Sequence, residues 1–571
     1  MERRVLFAIL LSFVVLYGYQ ALVVKPKPEA GANPAASSET TGSAAASAPA
    51  ATSTPTPAST PAPVPTAPPT STPLVADSAE KDIRVETDNV IAVFTNRGGR
   101  LKSWRLKHYF DQQKEPQELI DIIPNQPLPF SLRTPDETVN AVVNNALFTS
   151  TPPTTGGSAT DLKFEYRDSS GLSVVKSFHV ETQSYVLTFQ ATVSRDGQPL
   201  PAAVMWGPAV GDAATGNSYA QKPQGLIDNT SKVQRLTSKD LAKQSSYDGD
   251  FRYVGVDDNY FMTVALRPGP AKIVYHPVTI PGPGPKDPAR ELLAYSVEPT
   301  RTEAIKYFIG PKDFDVLARI GPDMTRAINF GMFSIIVVPL LRSLKWVNTY
   351  VGNYGWSIVV LTIIIQVILF PLQHKSIVSM RKMQEIQPQM KAIQDRYAKY
   401  KATDPEKQNM NKELMALYKE RGVNPASGCV PIMLTMPLLL AMWAMLQTSI
   451  ELRGAPFLWL SDLTVRDPYY VAPVLMGLTQ FWQQKITPAA GADPAQQKMM
   501  MLMPAIMTVM FITLPAGALV YYTVSNLLRI GQQYVTNSII GPPNIKAVRP
   551  AAERRVKRVG GGKTDAANGK S

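Results

Sequence analysis

Cysteine is almost absent from this sequence of 571 residues, because Cys429 is the only one. A single cysteine excludes a disulfide bond within the chain. Histidine is also scarce, and the four residues His108, His179, His276 and His374 are too scattered to match any spacing of metal ligands. No nucleophile and base stand out together. The sequence therefore predicts no metal, no cofactor, no catalytic residue and no enzyme.

Charge and aromatic side chains are both missing from residues 40–76, a stretch of 37 residues dominated by Pro, Ala, Ser and Thr. Such a segment buries too little apolar surface to offset the entropy of ordering it, so we expect a disordered linker over 26–80. The 20 uncharged residues before it, 5–24, predict an uncleaved transmembrane anchor over 1–25 with its N-terminus in the cytoplasm. A cleavable signal peptide is the alternative, but no cleavage site is visible.

Apolar and polar residues alternate in short runs over 83–318, for example at 83–96 and 174–193, with frequent turn signals between them. Period-two alternation is typical of strands with one buried face. The sequence predicts a β-sandwich domain over 81–320. Because it follows the anchor and the linker, residues 26–320 are expected in the periplasm. The simplest interpretation of this domain is an inert structural or docking module.

The second half of the chain has the composition of a membrane protein, since 17 of the 21 methionines follow residue 330. A short apolar run broken by Pro339 predicts an amphipathic interfacial helix over 321–350. Apolar segments then predict a membrane-embedded core over 351–540 with five transmembrane helices at 353–375, 429–449, 469–484, 499–514 and 516–533. With the anchor, six spans place both termini in the cytoplasm.

Two basic segments flank these spans. Residues 373–427 carry eleven Lys or Arg against six Asp or Glu, with apolar residues at helical spacing, and predict a cytoplasmic helical hairpin. The tail 541–571 carries eight Lys or Arg against two acids and predicts a flexible segment. It either binds phosphate-rich surfaces, ribosomal RNA or anionic lipid, or is simply solvated. The string GGGKT at 560–564 lacks the first glycine of a phosphate loop, so nucleotide binding is not expected.

Polar residues inside the predicted spans are the candidate site. Gln366 shares a helix face with Thr362, and an amide in lipid needs a partner or water. It either bonds a neighbouring helix as packing or lines a wet cavity. On the last span Tyr522, Ser525 and Arg529 share a face, and Arg529 lies at roughly 20 Å depth against roughly 15 Å for Gln366. Arg529 either meets Gln366 in one cavity or extends to the headgroups.

Five motifs occur in a fixed order, and together they resemble the YidC membrane-protein insertases of Gram-negative bacteria, of the YidC/Oxa/Alb family. The resemblance covers the whole layout and is most specific over 350–535. The motifs are VGNYGWSIVVLT (351–362), GVNPASGCVPIMLTMPL (422–438), ELRGAPFLWLSDL (451–463), DPYYVAPVLMG (467–477) and GALVYYTVSNLL (517–528).

The resemblance implies a multi-domain fold: a polytopic α-helical membrane bundle in the inner membrane plus an extracytoplasmic β-sandwich similar to a galactose-mutarotase-like supersandwich. It implies an insertase and folding chaperone that uses no nucleotide and passes nascent transmembrane segments through a hydrophilic groove open to cytoplasm and lipid. Its implied partners are nascent membrane proteins, the ribosome, the SecYEG translocon and membrane lipids, with no specific nucleic-acid sequence. The candidate groove residues are Thr362, Gln366, Gln480, Tyr522, Ser525 and Arg529, and the candidate substrate-receiving hairpin residues are Lys375, Arg381, Lys382, Met390 and Tyr397.

One position departs from the family, which carries an arginine where this sequence has Gln366. An amide supplies no long-range attraction for acidic substrates, so we hypothesise that the groove charge has moved to Arg529. A small-solute transporter using the same cavity is the alternative function, although no internal repeat of the spans is found. A membrane-anchored carbohydrate-binding protein or enzyme is a further alternative.

Overall fold

The computed structural model describes residues 72–541, apart from 112, 209, 211–220, 230–231, 282–288, 302, 401–403, 424–429 and 487–493. The predicted anchor (1–25), nearly all of the predicted linker (26–80) and the predicted tail beyond residue 541 lie outside the described residues.

A β-rich domain comes first. Two short helices interrupt its strands, α1 (Glu137–Asn145) and α2 (Ser238–Leu241), and α3 (Phe314–Ile320) closes it. The described residues form nineteen strands: β1 (Pro73–Val75), β2 (Asp82–Glu86), β3 (Val90–Thr95), β4 (Arg100–Phe110), β5 (Pro116–Glu118), β6 (Ser131–Arg133), β7 (Thr149–Ser150), β8 (Thr154–Gly156), β9 (Ala159–Asp168), β10 (Leu172–Glu181), β11 (Val186–Arg195), β12 (Gln198–Leu200), β13 (Ala203–Trp206), β14 (Gln224–Asp228), β15 (Val233–Leu236), β16 (Ser246–Asp257), β17 (Phe261–Ile280), β18 (Arg290–Pro299) and β19 (Ile305–Pro311).

The strands form two antiparallel sheets. The larger runs β1-β9-β10-β11-β19-β17-β16-β14-β15, with shorter strands attached along it, and the smaller runs β2-β3-β4-β5. Alternation in the sequence sets the buried face, as in β10, where Val174, Lys176, Phe178 and Val180 are buried and the residues between them are not. The Trp104 indole of β4 donates to the Ile309 carbonyl of β19 at 2.9 Å, which fixes the small sheet to the large one.

Eight helices of the described chain follow, with short 3₁₀ turns at Met324–Ala327, Gly331–Phe333, Ile450–Leu452 and Phe511–Thr513. The α11 helix packs against α9, α5 and α8, while α4 packs against α5 and α8. The helices are α4 (Ser334–Val351), α5 (Tyr354–Glu385), α6 (Gln387–Arg396), α7 (Pro405–Glu420), α8 (Val430–Thr448), α9 (Val471–Ile486), α10 (Pro494–Met510) and α11 (Ala516–Ile540). The expectation of a β-rich domain followed by a helical region is confirmed.

The α5 helix stands apart by its length. Among the described residues it is the one helix long and apolar enough to cross a membrane, and Met436–Thr448 and Met500–Thr513 are shorter apolar stretches. The Asn353 side chain caps its start by accepting from the Trp356 amide, after Gly352 ends α4 in the left-handed conformation. Its polar C-terminal part continues to Glu385 without a break at Pro371.

Beyond α5, the helices α6 and α7 form a separate small core. Seven apolar residues are buried there, and an exposed ion pair at 2.7 Å joins Arg396 to Glu413. Helix α7 is capped by Asp404, which accepts from the Glu406 amide. The buried residues are Met383, Ile386, Met390, Ile393, Leu414, Leu417 and Val423.

Polar contacts join the β-rich domain to the helices. One group, here called the Lys345 cluster, places the Lys345 ammonium of α4 at 2.5 Å from Asp315, 3.2 Å from Glu451 and 3.7 Å from Asp313. These residues come from the start of α3, from α4 and from the turn after α8, so the cluster connects the end of the β-rich domain to a turn 106 residues beyond Lys345.

Candidate substrate groove

Buried amides lie along the contact between α5 and α11. Gln366 and Gln373 are both buried, and the Gln373 side chain donates to Gln366 Oε1 at 2.9 Å. From the other helix, Gln532 Nε2 donates to the Phe370 carbonyl at 3.4 Å. This polar stripe crosses an otherwise apolar helix, where each amide is costly unless it is bonded.

Thr362 lies one turn before Gln366 and is also buried. Its hydroxyl donates to the Ile358 carbonyl of the same helix at 2.6 Å, so its bonding capacity is used locally. The donor of Thr362 is therefore used within α5, and its hydroxyl oxygen is left as an acceptor.

A second polar group lies between α9, α10 and α11. Asn526 is buried and donates to Thr479 Oγ1 at 3.3 Å. Gln480 Nε2 lies 3.2 Å from the Met507 sulfur, and its Oε1 is buried and accepts no hydrogen bond from any residue that the structure describes. Helices α9 and α10 approach closely here, since a Cβ at Gly477 would overlap the Thr508 side chain.

The three candidates on α11 have different surroundings. Tyr522 packs against the apolar cluster that includes Met476, and its ring lies 6.4 Å from the Phe511 ring. Ser525 is buried, whereas Arg529 is partly exposed. Gln366 has its described hydrogen bond to Gln373, and no bond between it and Arg529 is found among the described residues.

The hairpin candidates divide by exposure. Lys375 and Lys382 are exposed. Arg381 is buried and donates to the Asn537 side chain and the Gly541 carbonyl at the end of α11.

Met390 belongs to the buried hairpin core, and Tyr397 donates to Glu413 Oε1 at 3.1 Å. The structure thus brings Arg381 to the end of α11 and Met390 into the hairpin core, and it leaves Lys375 and Lys382 accessible.

Several buried polar residues were missed from the sequence. Gln373 lies seven residues after Gln366, so it shares its face, and this spacing was the available signal. Asn526, Gln532 and Thr536 had no such signal, because the partners Thr479, Phe370 and His374 are distant in sequence. The missed buried residues are Gln373, Asn526, Gln532, Gln533 and Thr536, and the half-buried Thr479 belongs with them as the acceptor of Asn526.

Within the described ranges no group of three His, Cys, Asp or Glu side chains is arranged to hold a metal ion. The polar groups of the candidate residues are amides, hydroxyls and one guanidinium. They can exchange hydrogen bonds with a peptide but supply no nucleophile activated by a base.

Comparisons with known proteins find matches to one kind of protein along most of the chain. The family described as "YidC periplasmic domain" matches residues 82–343, and the family described as "60Kd inner membrane protein" matches residues 346–542. A "Membrane protein insertase YidC" of Geobacter metallireducens is 34% identical over 564 residues, which cover 94% of this chain and 99% of the relative. The protein of that name from Citrifermentans bemidjiense is 35% identical over 556 residues, covering 95% of this chain and 100% of the relative.

Among solved structures, the chain matches "Active YidC insertase crystal structure with the first transmembrane domain resolved" at 19% identity, covering 81% of this chain and 95% of the other. The TM-score of 0.34 is too low to support an argument from that superposition. The relatives at 34% and 35% identity match this chain over nearly their whole length. The chain therefore belongs to the YidC family of inner-membrane protein insertases, which are not enzymes.

Proposed function

We propose that this insertase passes nascent transmembrane segments along the polar surface between α5, α9 and α11. The observation that carries the proposal is the buried Gln366–Gln373 pair in the one described helix that is long and apolar enough to span a membrane. On the facing side, Asn526 and Gln480 extend the polar surface. The groove is open to cytoplasm and lipid in this proposal.

Amides suit this task for a physical reason. An unsatisfied peptide group in hydrocarbon costs several kcal/mol. The amides of Gln366 and Gln373 can exchange their mutual bond for bonds to a passing backbone at small net cost, because donors and acceptors are replaced one for one. Partitioning of the released apolar helix into lipid supplies the driving force, so no nucleotide is hydrolysed.

The same proposal fixes the arrangement in the inner membrane. Helices α5, α8, α9, α10 and α11 are five spans, the segment 1–25 is a sixth, and both termini are cytoplasmic. The β-rich domain lies in the periplasm as a supersandwich, α4 lies at the outer interface, and the helices α6 and α7 lie in the cytoplasm. There the exposed Lys375 and Lys382 receive substrate, while the buried Arg381 and Met390 hold the hairpin in place.

The partners follow from these surfaces. Nascent membrane proteins are the substrates. The basic hairpin and the basic tail 541–571 face the phosphate-rich ribosome, and the SecYEG translocon and membrane lipids meet the bundle from the side. The recognition involves charge and not a nucleic-acid sequence.

Photocrosslinking to stalled nascent chains tests the path. A photoreactive residue at Gln366, Gln480 or Tyr522 is expected to crosslink a translating transmembrane segment. Val367 is the matched control, because it is the next residue along α5 but is 66% exposed on the outer face of the helix. Equal crosslinking from Gln366 and Val367 would contradict the proposal, since it would show no preferred path.

The charge hypothesis has its own test. Arg529→Gln is expected to reduce insertion of a substrate with an acidic tail, and Gln366→Arg in the same chain is expected to restore it. Lys485→Gln is the control, because Lys485 is an exposed cation on α9. Full insertion of the acidic substrate by Arg529→Gln would refute a role for this charge.

A further inference from the structure

A cavity of about 400 Å³ lies where the β-rich domain meets the start of α4. Its walls come from β15, α3, the 3₁₀ turns between α3 and α4, and the first turns of α4. The ten described residues that line it include two arginines, Arg235 and Arg326, and no acid. We call it the arginine cavity.

The two arginines are held differently. Arg235 donates through Nη2 to the carbonyls of Arg326 at 2.7 Å and Ala327 at 3.2 Å, so its position is fixed by the backbone of the cavity wall. Its Nε–H is buried and meets no acceptor among the residues that the structure describes. Arg326 is about half exposed and lies 3.7 Å from Asp323, which is already paired with Arg252 at 2.7 Å. One carboxylate therefore serves two guanidinium groups, and the cavity keeps a positive charge.

Exposed apolar side chains lie beside this charge. Met332 is 74% exposed and Ile335 is 82% exposed, and both belong to the segment that enters α4. Further along the same helix Trp346 and Tyr350 are exposed, whereas Leu341 is buried against the protein. Exposed Trp and Tyr on one face of an amphipathic helix are typical of the membrane interface.

We propose that the arginine cavity binds the phosphate headgroup of an anionic phospholipid of the outer leaflet, with an acyl chain lying along Met332 and Ile335. The proposal rests on the placement of α4 at the outer membrane surface. Guanidinium groups form bidentate, charge-assisted hydrogen bonds with phosphate oxygens. The apolar residues beside the cavity select a lipid over a free anion, because inorganic phosphate gains nothing from them.

The test measures lipid retained by the full-length protein. The protein is reconstituted in nanodiscs of phosphatidylcholine with a minor share of phosphatidylglycerol, and bound lipids are counted by native mass spectrometry. Arg326→Gln is the first variant, because Arg326 makes only a shared surface pair and its loss should leave the fold intact. Arg235→Gln with Arg326→Gln removes both cations. Arg319→Gln is the control, since Arg319 is an exposed arginine of α3 that does not line the cavity.

We expect Arg326→Gln to lower bound phosphatidylglycerol about five-fold, the equivalent of about 1 kcal/mol for one cation near a charged membrane surface. The double variant should lose more, and Arg319→Gln should retain the wild-type amount. Equal retention by wild type and double variant would overturn the proposal, and so would displacement of the lipid by inorganic phosphate alone. Insertion is measured on the same preparations. A protein that inserts substrate normally but shows no preference for phosphatidylglycerol overturns this lipid site and leaves the groove proposal standing. The groove proposal is overturned by its own crosslinking test.

Discussion

Replacing Lys345 by methionine should destabilise the contact between the β-rich domain and the helices strongly. The Lys345 side chain is 23% exposed and has three carboxylates around it, of which Glu451 is only 4% exposed. Burial alone would lower the pKa of Lys345, but Glu451 and the two aspartates outweigh it and raise that pKa. Burial and Asp313 raise the pKa of Glu451. Without Lys345, the buried Glu451 carboxylate has lost its compensating charge.

The expected loss follows from that burial. Removing one partner of a buried ion pair costs about 3–5 kcal/mol, and because Lys345 keeps some contact with water we expect about 3 kcal/mol. The assay is thermal and urea unfolding of the purified full-length protein in detergent, followed by tryptophan fluorescence. Lys163→Met is the control: Lys163 lies 2.5 Å from Glu165, as close as Lys345 to Asp315, but both side chains are about half exposed. An exposed pair contributes at most about 1 kcal/mol.

A double variant separates the loss of the Lys345–Glu451 attraction from the cost of leaving the Glu451 carboxylate buried and unpaired. Lys345→Met with Glu451→Gln removes the buried carboxylate as well, so the double variant should be more stable than Lys345→Met alone. If the double variant is as unstable as the sum of the two single variants, the two side chains are not coupled and the reasoning is refuted.

Three further outcomes are expected. Burial raises the pKa of Asp258 to about 7, so the folded state holds the proton more tightly than the unfolded state. The free energy of unfolding should therefore fall by up to about 4 kcal/mol as pH rises from about 4 to 7. Urea titrations across this range should show no such fall in Asp258→Asn. Arg381→Ala should speed hydrogen exchange of the last amides of α11, because the Asn537 side chain and the Gly541 carbonyl lose their donor. Gly477→Ala should lower the unfolding temperature through overlap with Thr508, whereas Gly531→Ala, which meets open space, should not.

The strands and the long apolar helix could be predicted from the sequence because each depends on local periodicity. In β10, alternation identifies Val174, Phe178 and Val180 as buried, but not Lys176, which is buried on the same face and donates to the Gly98 and Phe130 carbonyls. The C-terminal end of α5 could not be predicted in this way. Pro371 and the basic residues after it indicated an end near residue 375, but one helix continues to Glu385. A proline costs one backbone bond and bends a helix, and packing against α11 outweighs that cost.

The candidate site also divides into residues that local sequence could identify and contacts that it could not. Gln366 could be singled out because a polar residue in an apolar run is visible in the sequence. The seven-residue spacing also places Gln373 on the same helix face, but the hydrogen bond between the two amides depends on side-chain rotamers that spacing does not determine. The bonds of Arg381 to Asn537 and Gly541 cross more than 150 residues, so no local pattern could have shown them. The basic sign of the hairpin indicated a surface role for Arg381, whereas the fold buries it.

The length of α5 has a mechanical consequence. Its 32 residues form a rod of about 48 Å that carries Gln366 in the bundle and Met383 in the hairpin core. A tilt of about 10° at one end displaces the other by about 8 Å over that length. A force applied to the hairpin therefore moves Gln366 by tilting α5, without a series of side-chain rearrangements between them. Pro371, lying between the two ends, is the point where such a lever is most compliant.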